Sequence, residues 1–116
     1  MSFGRMSEPI TILRVIHTKD ADGFAESRDE PLARVRAYHE QRHGNVKWAN
    51  RAAFSEATAL FRFRTIPGVA VEPLYIIVCR LKRFEILSVE VLHGLYVEAL
   101  VKEVAAVGDD EVRYAG

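Results

Sequence analysis

His39, Glu40 and His43 have the spacing H-E-x-x-H, which is the signature of zinc peptidases. On a helix the two histidines would lie one turn apart on the same face and bind zinc, with Glu40 as the general base. Pro31 would suit the first turn of such a helix, and Gly44 would end it. The motif by itself therefore makes a small zinc metallopeptidase one hypothesis for this chain.

Two features of the sequence weigh against a peptidase. A catalytic zinc needs a third protein ligand, and the candidates His17, Glu56 and His93 stand at no diagnostic spacing from the motif. Gly44 directly follows the second histidine, so the helix would end at its own ligand and hold the site poorly. The alternative interpretation is that both histidines are polar residues, one at the end of a strand and one in the loop that follows.

Two further groups of residues have a chemical interpretation, and in both cases a structural one fits better. Asp20, Asp22 and Gly23 resemble the start of a calcium-binding loop, but the glutamate expected at its twelfth position is missing. A plain turn is predicted there instead. Cys79 ends an apolar run and lacks a neighbouring base, which indicates a buried hydrophobic residue. We therefore predict no catalytic residue, no bound metal and no cofactor.

The composition indicates one globular domain without a strong charge preference for its partners. The chain has 116 residues, of which 49% are hydrophobic, and its 16 basic residues balance its 16 acidic ones. An attraction to nucleic acid would therefore need a local patch of charge. No apolar run approaches the roughly 20 residues needed to cross a bilayer, and the N-terminus lacks the apolar stretch of a signal peptide. We predict a protein with no membrane contact.

Short apolar runs separated by turn signals predict an all-β fold. Phe61 and Phe63 alternate with Arg62 and Arg64, which places aromatic rings on one face and cations on the other. This separation argues against a third class of protein, a nucleic-acid-binding barrel with exposed stacking aromatics. The expected strands are residues 9–17, 55–66, 83–92 and 95–104, together with residues 74–79 as a strand buried on both faces, and residues 18–28 are expected to form an exposed polar loop.

Residues 31–40 fit two structures, and the local pattern does not decide between them. As a strand, Ala33, Val35 and Ala37 would alternate with polar neighbours. As a helix, the segment would start near Pro31 and carry the H-E-x-x-H motif. A long polar loop is expected to follow over residues 41–51. One short helix is compatible with the sequence where this loop ends.

The order and spacing of these signals resemble the head–tail joining, or head-closure, family of tailed bacteriophages and related particles such as gene transfer agents. The resemblance covers residues 4–103. The glycine-containing N-terminus and the R-x-T-I type first strand correspond to Gly4-Arg5-Met6 and Ile10-Thr11-Ile12, the D-x-x-G loop to residues 20–23, and the V-x-A second strand to Val35-Arg36-Ala37. The T-x-x-F-x-I-R segment corresponds to residues 58–64, the G-I turn to Gly68-Val69, and the aromatic strand with I-x-x-V to residues 84–89.

The resemblance implies a small β-barrel or sandwich of about six strands with a long loop after the second strand, and it places residues 31–40 as a strand. It implies a barrel domain over residues 1–104 and a flexible tail over residues 105–116. Members of the family are not catalytic. They form a ring in the neck of the particle, below the portal or adaptor protein and above the tail terminator or tail tube protein, after assembly in the cytoplasm of the bacterial host.

Within that ring, the resemblance implies that residues 40–54 reach into the channel as a stopper and hold the packaged double-stranded DNA. Basic residues of this segment would contact phosphates without sequence preference. The residues expected to face the DNA are Arg42, His43, Lys47 and Arg51.

The resemblance also implies contacts between copies of the chain, in a ring of six or twelve. Apolar residues on both faces of the first strand are explained if part of their surface is buried between subunits. The candidates for this contact are Ile12, Ile16 and, from the long loop, Trp48. An adaptor or tail-completion role in the same neck stays open as an alternative.

Overall fold

A computed structural model describes residues 5–41 and 56–105 of the chain. Every regular element within these ranges is a β-strand, so the predicted all-β class is confirmed. The described residues accordingly contain no helix that is long and apolar enough to cross a membrane. The strands are β1 (Glu8–Lys19), β2 (Ala25–Gln41), β3 (Ala59–Arg64), β4 (Ile76–Cys79), β5 (Lys82–Leu92) and β6 (Tyr96–Val104).

These strands form one antiparallel sheet in the order β1-β2-β3-β6-β5-β4, and pairing of β1 with β4 closes it into a barrel. The closing contact is short, from Thr11 opposite Val78 to Leu13 opposite Ile76. Closure leaves the sheet without a terminal strand, although β2 pairs with β3 only from Tyr38 onward. We call the end where β2 finishes and β3 begins the loop end, and the end where β1 turns into β2 the hairpin end.

Alternate residues of all six strands fill the interior of the barrel, as the two-residue period of a strand requires. Phe61 and Phe63 are fully buried, whereas Arg62 is half-buried and Arg64 is exposed. The predicted separation of rings and cations on β3 is therefore confirmed. Burial of these aromatic side chains supplies a large share of the apolar area that stabilises so small a domain.

β1 and β2 are longer than the barrel, and their excess forms a projecting two-stranded hairpin. We call this hairpin, residues 14–30, the arm. β4 pairs with β1 only as far as Leu13, and β3 pairs with β2 only from Tyr38 onward. A bulge between Ile12 and Leu13 lies where the arm leaves the barrel, and bulges bend strands. In the described part of the chain, both edges of the arm lack a partner strand.

The turn at the tip of the arm is built on Asp20. Its carboxylate accepts hydrogen bonds from the backbone N–H groups of Asp22 and Phe24, both at 2.9 Å, and Gly23 has a φ of 87°. The turn predicted from these residues is confirmed. The predicted polar loop over residues 18–28 is wrong in extent, because strand pairing continues to Lys19 and resumes directly after the turn.

The ambiguous residues 31–40 lie within β2, so the strand interpretation is confirmed and the helical one is wrong. The strand predicted over residues 74–79 begins only at Ile76, because Leu74 has a φ of 77° and is exposed. His93 and Gly94, both with positive φ, lie in the expected turn between β5 and β6, but the connection has three residues because β6 begins only at Tyr96. The long loop after β2, the short helix allowed near its end and the tail beyond residue 105 lie outside the described residues.

Candidate assembly and channel surfaces

The residues that flank 42–55 on both sides lie at the loop end of the barrel, and residues 42–55 contain most of the segment, 40–54, that is predicted to reach the DNA channel. Gln41, the last residue of β2, pairs with Ala59, the first residue of β3. The N–H of Thr58 donates to the carbonyl of Val101 at 2.8 Å, and the Thr58 hydroxyl accepts from the N–H of Glu103 at 3.0 Å. The described residues on either side of 42–55 are thus held on neighbouring strands at one end of the barrel.

The described side chains around the loop end neutralise one another. Three cations there face four carboxylates, and each cation lies within ion-pair distance of at least one of them. Exposed pairs of this kind add little stability, but they leave the described rim with no surplus of positive charge. The pairs are Arg80–Glu8 at 2.6 Å, Lys82–Glu103 at 4.0 Å, Lys102–Glu56 at 3.8 Å and Lys102–Glu85 at 3.9 Å.

A small cavity of about 240 Å³ opens at the loop end, with His39 and Cys79 in its wall. The imidazole of His39 stacks on Phe61 with ring centroids 4.7 Å apart, and Phe84 meets Phe61 edge-on at 5.2 Å. Burial, and then the nearby charge of Glu8, raises the pKa of the Cys79 thiol, so this thiol stays protonated at neutral pH. Both wall residues are placed for packing rather than for chemistry.

The first three residues of the H-E-x-x-H motif are not in the helix that a zinc-peptidase site requires. His39, Glu40 and Gln41 lie on β2, where successive side chains point to opposite faces, whereas the motif requires a helix over these residues. Glu40 instead accepts a hydrogen bond from the Tyr38 hydroxyl at 3.1 Å. No group of three His, Cys, Asp or Glu side chains within residues 5–41 and 56–105 is placed to hold a metal ion.

The predicted site residues divide into those outside the described ranges and those on β1. On β1, the contact prediction has to be corrected for Ile12, because its side chain points into the barrel and is 0% exposed. Ile16 is half-buried on the arm, and its contact with a neighbouring subunit stays a prediction. Outside the described ranges lie Arg42, His43, Lys47, Trp48 and Arg51.

An ion pair that no sequence signal indicated ties the arm to the barrel. Arg83 of β5 donates hydrogen bonds to both carboxylate oxygens of Asp29, at 2.8 and 3.2 Å. The side chain of Arg83 is only 11% exposed. Within the arm itself, Arg14 donates to Glu30 from Nε at 2.8 Å, with both side chains well exposed. The first pair spans 54 positions in sequence, which is why local patterns could not show it.

Replacing Asp29 by alanine is expected to lower the free energy of unfolding by about 1–3 kcal/mol, because a mostly buried guanidinium would lose its carboxylate partner. Replacing Glu30 by alanine should cost about 1 kcal/mol or less, since water can solvate the exposed Arg14. Urea denaturation measures the difference, and amide hydrogen exchange over residues 14–30 reports loosening of the arm. Equal stabilities of the two variants would contradict a structural role for the Arg83–Asp29 pair.

A family model described as the phage head completion protein matches residues 1–104 of the chain. The chain belongs to this family. The resemblance to head–tail joining proteins is thereby confirmed. Head completion is a structural role in a phage-like particle, and the family is a family of structural proteins rather than of enzymes.

Two solved structures share the fold of this head completion family member. A protein of Shigella flexneri 2a, solved in solution, is 19% identical with a TM-score of 0.67, and the match covers 90% of this chain and 98% of that one. A chain in the virion of a native gene transfer agent particle is 19% identical with a TM-score of 0.54, covering 88% and 98%. Identities this low establish the shared fold alone. No curated protein matches the chain significantly.

Proposed function

We propose that the protein forms a homo-oligomeric ring of six or twelve copies in the neck of a phage-like particle. There it closes the DNA channel and offers the tail an attachment surface, between a portal or adaptor protein on one side and a tail terminator or tail tube protein on the other. Membership of the head completion family supports the structural role. Assembly takes place in the cytoplasm of the bacterial host.

The observation that carries the channel role is the anchoring of residues 42–55. Because Gln41 pairs with Ala59, the segment both leaves and re-enters the barrel at the loop end. A closed barrel is a stiff base, and a long insertion on such a base can reach a shared pore without disturbing the core. We place the loop end of each subunit toward the channel, so that residues 42–55 of all copies meet there.

The distribution of charge supports contact between this segment and DNA. Residues 42–55 include Arg42, Lys47 and Arg51 and no aspartate or glutamate. The described rim of the loop end is neutralised by its own ion pairs, so the segment itself supplies the positive charge. Repeated around a ring, three such residues per copy form a basic annulus that binds phosphates without reading sequence.

The mass of neck complexes released from particles tests the ring. Native mass spectrometry is expected to find this chain in six or twelve copies per complex. The measurement also shows which neighbouring proteins stay attached to it. A chain present in assembled particles only as a single copy would overturn the proposed function.

A further inference from the structure

The tip of the arm combines an exposed aromatic ring with a surplus of negative charge. Phe24 is 69% exposed, which is unusual for so large an apolar side chain on a soluble surface. Residues 19–26 contain one lysine against three carboxylates. Among the described residues, no cation forms an ion pair with Asp22 or Glu26. The tip is therefore a projecting, acidic, aromatic knob.

A groove with apolar walls and positive charge, which complements the arm tip, lies where β2 separates from the end of β3. Its volume is about 410 Å³, and its walls include the apolar side chains of Val35, Ile66 and Pro67. Arg36 and Arg64 flank it, and no acidic residue lines it. A groove of this size has room for one aromatic ring.

The two arginines of this groove have no carboxylate partner in the described part of the chain. Arg36 donates to the backbone carbonyl of Ser7 at 3.1 Å, and the guanidinium of Arg64 lies over the ring of Tyr96, 5.7 Å from its centroid. Their positive charges therefore stay available to a carboxylate brought by another molecule. The positive charge of the groove is complementary to the acidic arm tip, and the size of the groove suits the ring of Phe24.

A second groove, of about 560 Å³, lies beside the base of the arm and is a weaker match. Its two arginines, Arg14 and Arg83, already pair with Glu30 and Asp29 of the same chain. An acidic tip would gain little there, because the positive charge is neutralised. The groove beside Arg36 is therefore the better receptor.

The arm cannot place its tip in the groove of its own chain. Ala25, next to the tip, and Arg36, at the groove, lie on the same strand, β2. Extended chain rises about 3.3 Å per residue, which separates them by roughly 36 Å. A paired strand does not fold back over such a distance within itself, so the occupant of the groove is another molecule.

We infer that the arm tip of one copy docks into the groove between β2 and the end of β3 on the next copy, with Phe24 as the apolar anchor and Arg36 and Arg64 facing the acidic residues of the tip. This inference rests on the proposed ring, and names the contact that builds it. A contact between two different surfaces of the same chain is heterologous, and such contacts close into rings when the rotation between copies permits.

The arm itself gives a physical reason for this contact. An isolated two-stranded hairpin is only marginally stable in water, yet the arm extends beyond its partner strands on both edges. Docking would remove the Phe24 ring from water and order the hairpin at the same time. It would also place exposed strand edges, which favour unwanted pairing, against a neighbouring subunit.

Cysteine cross-linking in assembled particles tests the contact directly. Thr65 is chosen for the second cysteine because it is exposed and lines the groove. A chain carrying both Phe24→Cys and Thr65→Cys is treated with a short bismaleimide. The native Cys79 is buried and serves as the unreactive background. We expect a ladder of covalent oligomers that ends at the ring number. The matched control carries Phe24→Cys with Leu81→Cys, because Leu81 is 94% exposed but lies at the opposite, loop end.

The outcomes separate the inference from the proposed function. A ladder with the groove pair and none with the control pair supports the arm-in-groove contact. A ring confirmed by mass without the ladder overturns this contact and leaves the proposed function standing. Cross-links from position 24 to another neck protein also overturn it, since the occupant would not be a second copy. A chain found only as a single copy in the particle overturns both.

A charge exchange gives a second, independent readout. The variant Asp22→Arg/Glu26→Arg is expected to weaken ring assembly by roughly two- to fivefold at each contact, the range for exposed ion pairs. Adding Arg36→Glu and Arg64→Glu to the same chain restores attraction and should recover assembly. A combined variant that assembles no better than the first one would contradict the pairing of these surfaces.

Discussion

Particles that carry a chain without residues 44–51 are expected to package DNA and then lose it, while the barrel keeps its fold. The deletion leaves the Gln41–Ala59 pairing and the Thr58 hydrogen bonds intact, so the loop end stays closed. It removes Lys47 and Arg51, two of the three Arg and Lys residues of the segment, and shortens its reach into the channel. Nuclease-resistant DNA per particle measures the leak, and thermal melting of the purified chain measures the fold.

A charge variant separates the contribution of the basic residues from that of loop length. In this control Arg42, Lys47 and Arg51 become serine while the segment keeps its length and Trp48. Because phosphate contacts weaken steeply with salt, its loss of DNA should increase with ionic strength more than that of the unaltered chain. Particles of the deletion variant that retain DNA at the level of the unaltered chain would contradict the stopper role.

The substitution Phe61→Ala is expected to lower the free energy of unfolding by about 3–5 kcal/mol, the range for emptying a buried aromatic site. Phe61 is 0% exposed, and it contacts both His39 and Phe84 at the centre of the core. A domain of this kind is stable by only about 5–15 kcal/mol, so the variant would be close to unfolding at ordinary temperatures. Urea denaturation followed by circular dichroism measures the change.

The matched control is Phe24→Ala, which removes the same side chain from the exposed arm tip. Its effect on the isolated chain should stay within about 0.5 kcal/mol, as for surface substitutions away from special features. Phe61→Leu provides a folded variant with a smaller loss, since most of the buried volume is kept. A loss below about 1 kcal/mol for Phe61→Ala would show that the aromatic cluster is not the centre of the core.

Much of the barrel could be predicted because its strands carry a two-residue period. On β3, Phe61 and Phe63 point inward and Arg62 and Arg64 do not, as the sequence pattern indicated. The segment over residues 31–40 was different, since its small apolar residues alternate weakly and a helix fitted equally well. The resemblance to a known family decided that case, and the pairing of β2 with β1 confirms it.

Residues 18–28 were not predicted to pair as strands because they are mostly polar, with Phe24 as their only large apolar side chain. They carry no apolar stripe, so they read as a loop although most of them are paired across the hairpin. Hydrogen bonds between strands stabilise the arm, together with ion pairs to distant residues such as Arg83. Neither kind of contact leaves a local signal in the sequence.

The error at Ile12 has a related cause. Apolar residues on both faces of β1 suggested a contact between subunits, but Ile12 lies in the core of the barrel and Leu13 is buried within the same chain. The number of buried faces depends on how the sheet closes, and closure is a property of the whole chain. The groove beside Arg36 lies where the pairing of β2 with β3 stops, and the extent of that pairing is not visible in the local sequence either.

An image of the particle neck that resolves individual barrels tests the central claim most directly. We expect a closed ring of identical barrels with the loop end of each facing the channel and residues 42–55 meeting at the pore. Barrels whose residues 42–55 point away from the channel, or a neck that holds one copy of this chain, would contradict it.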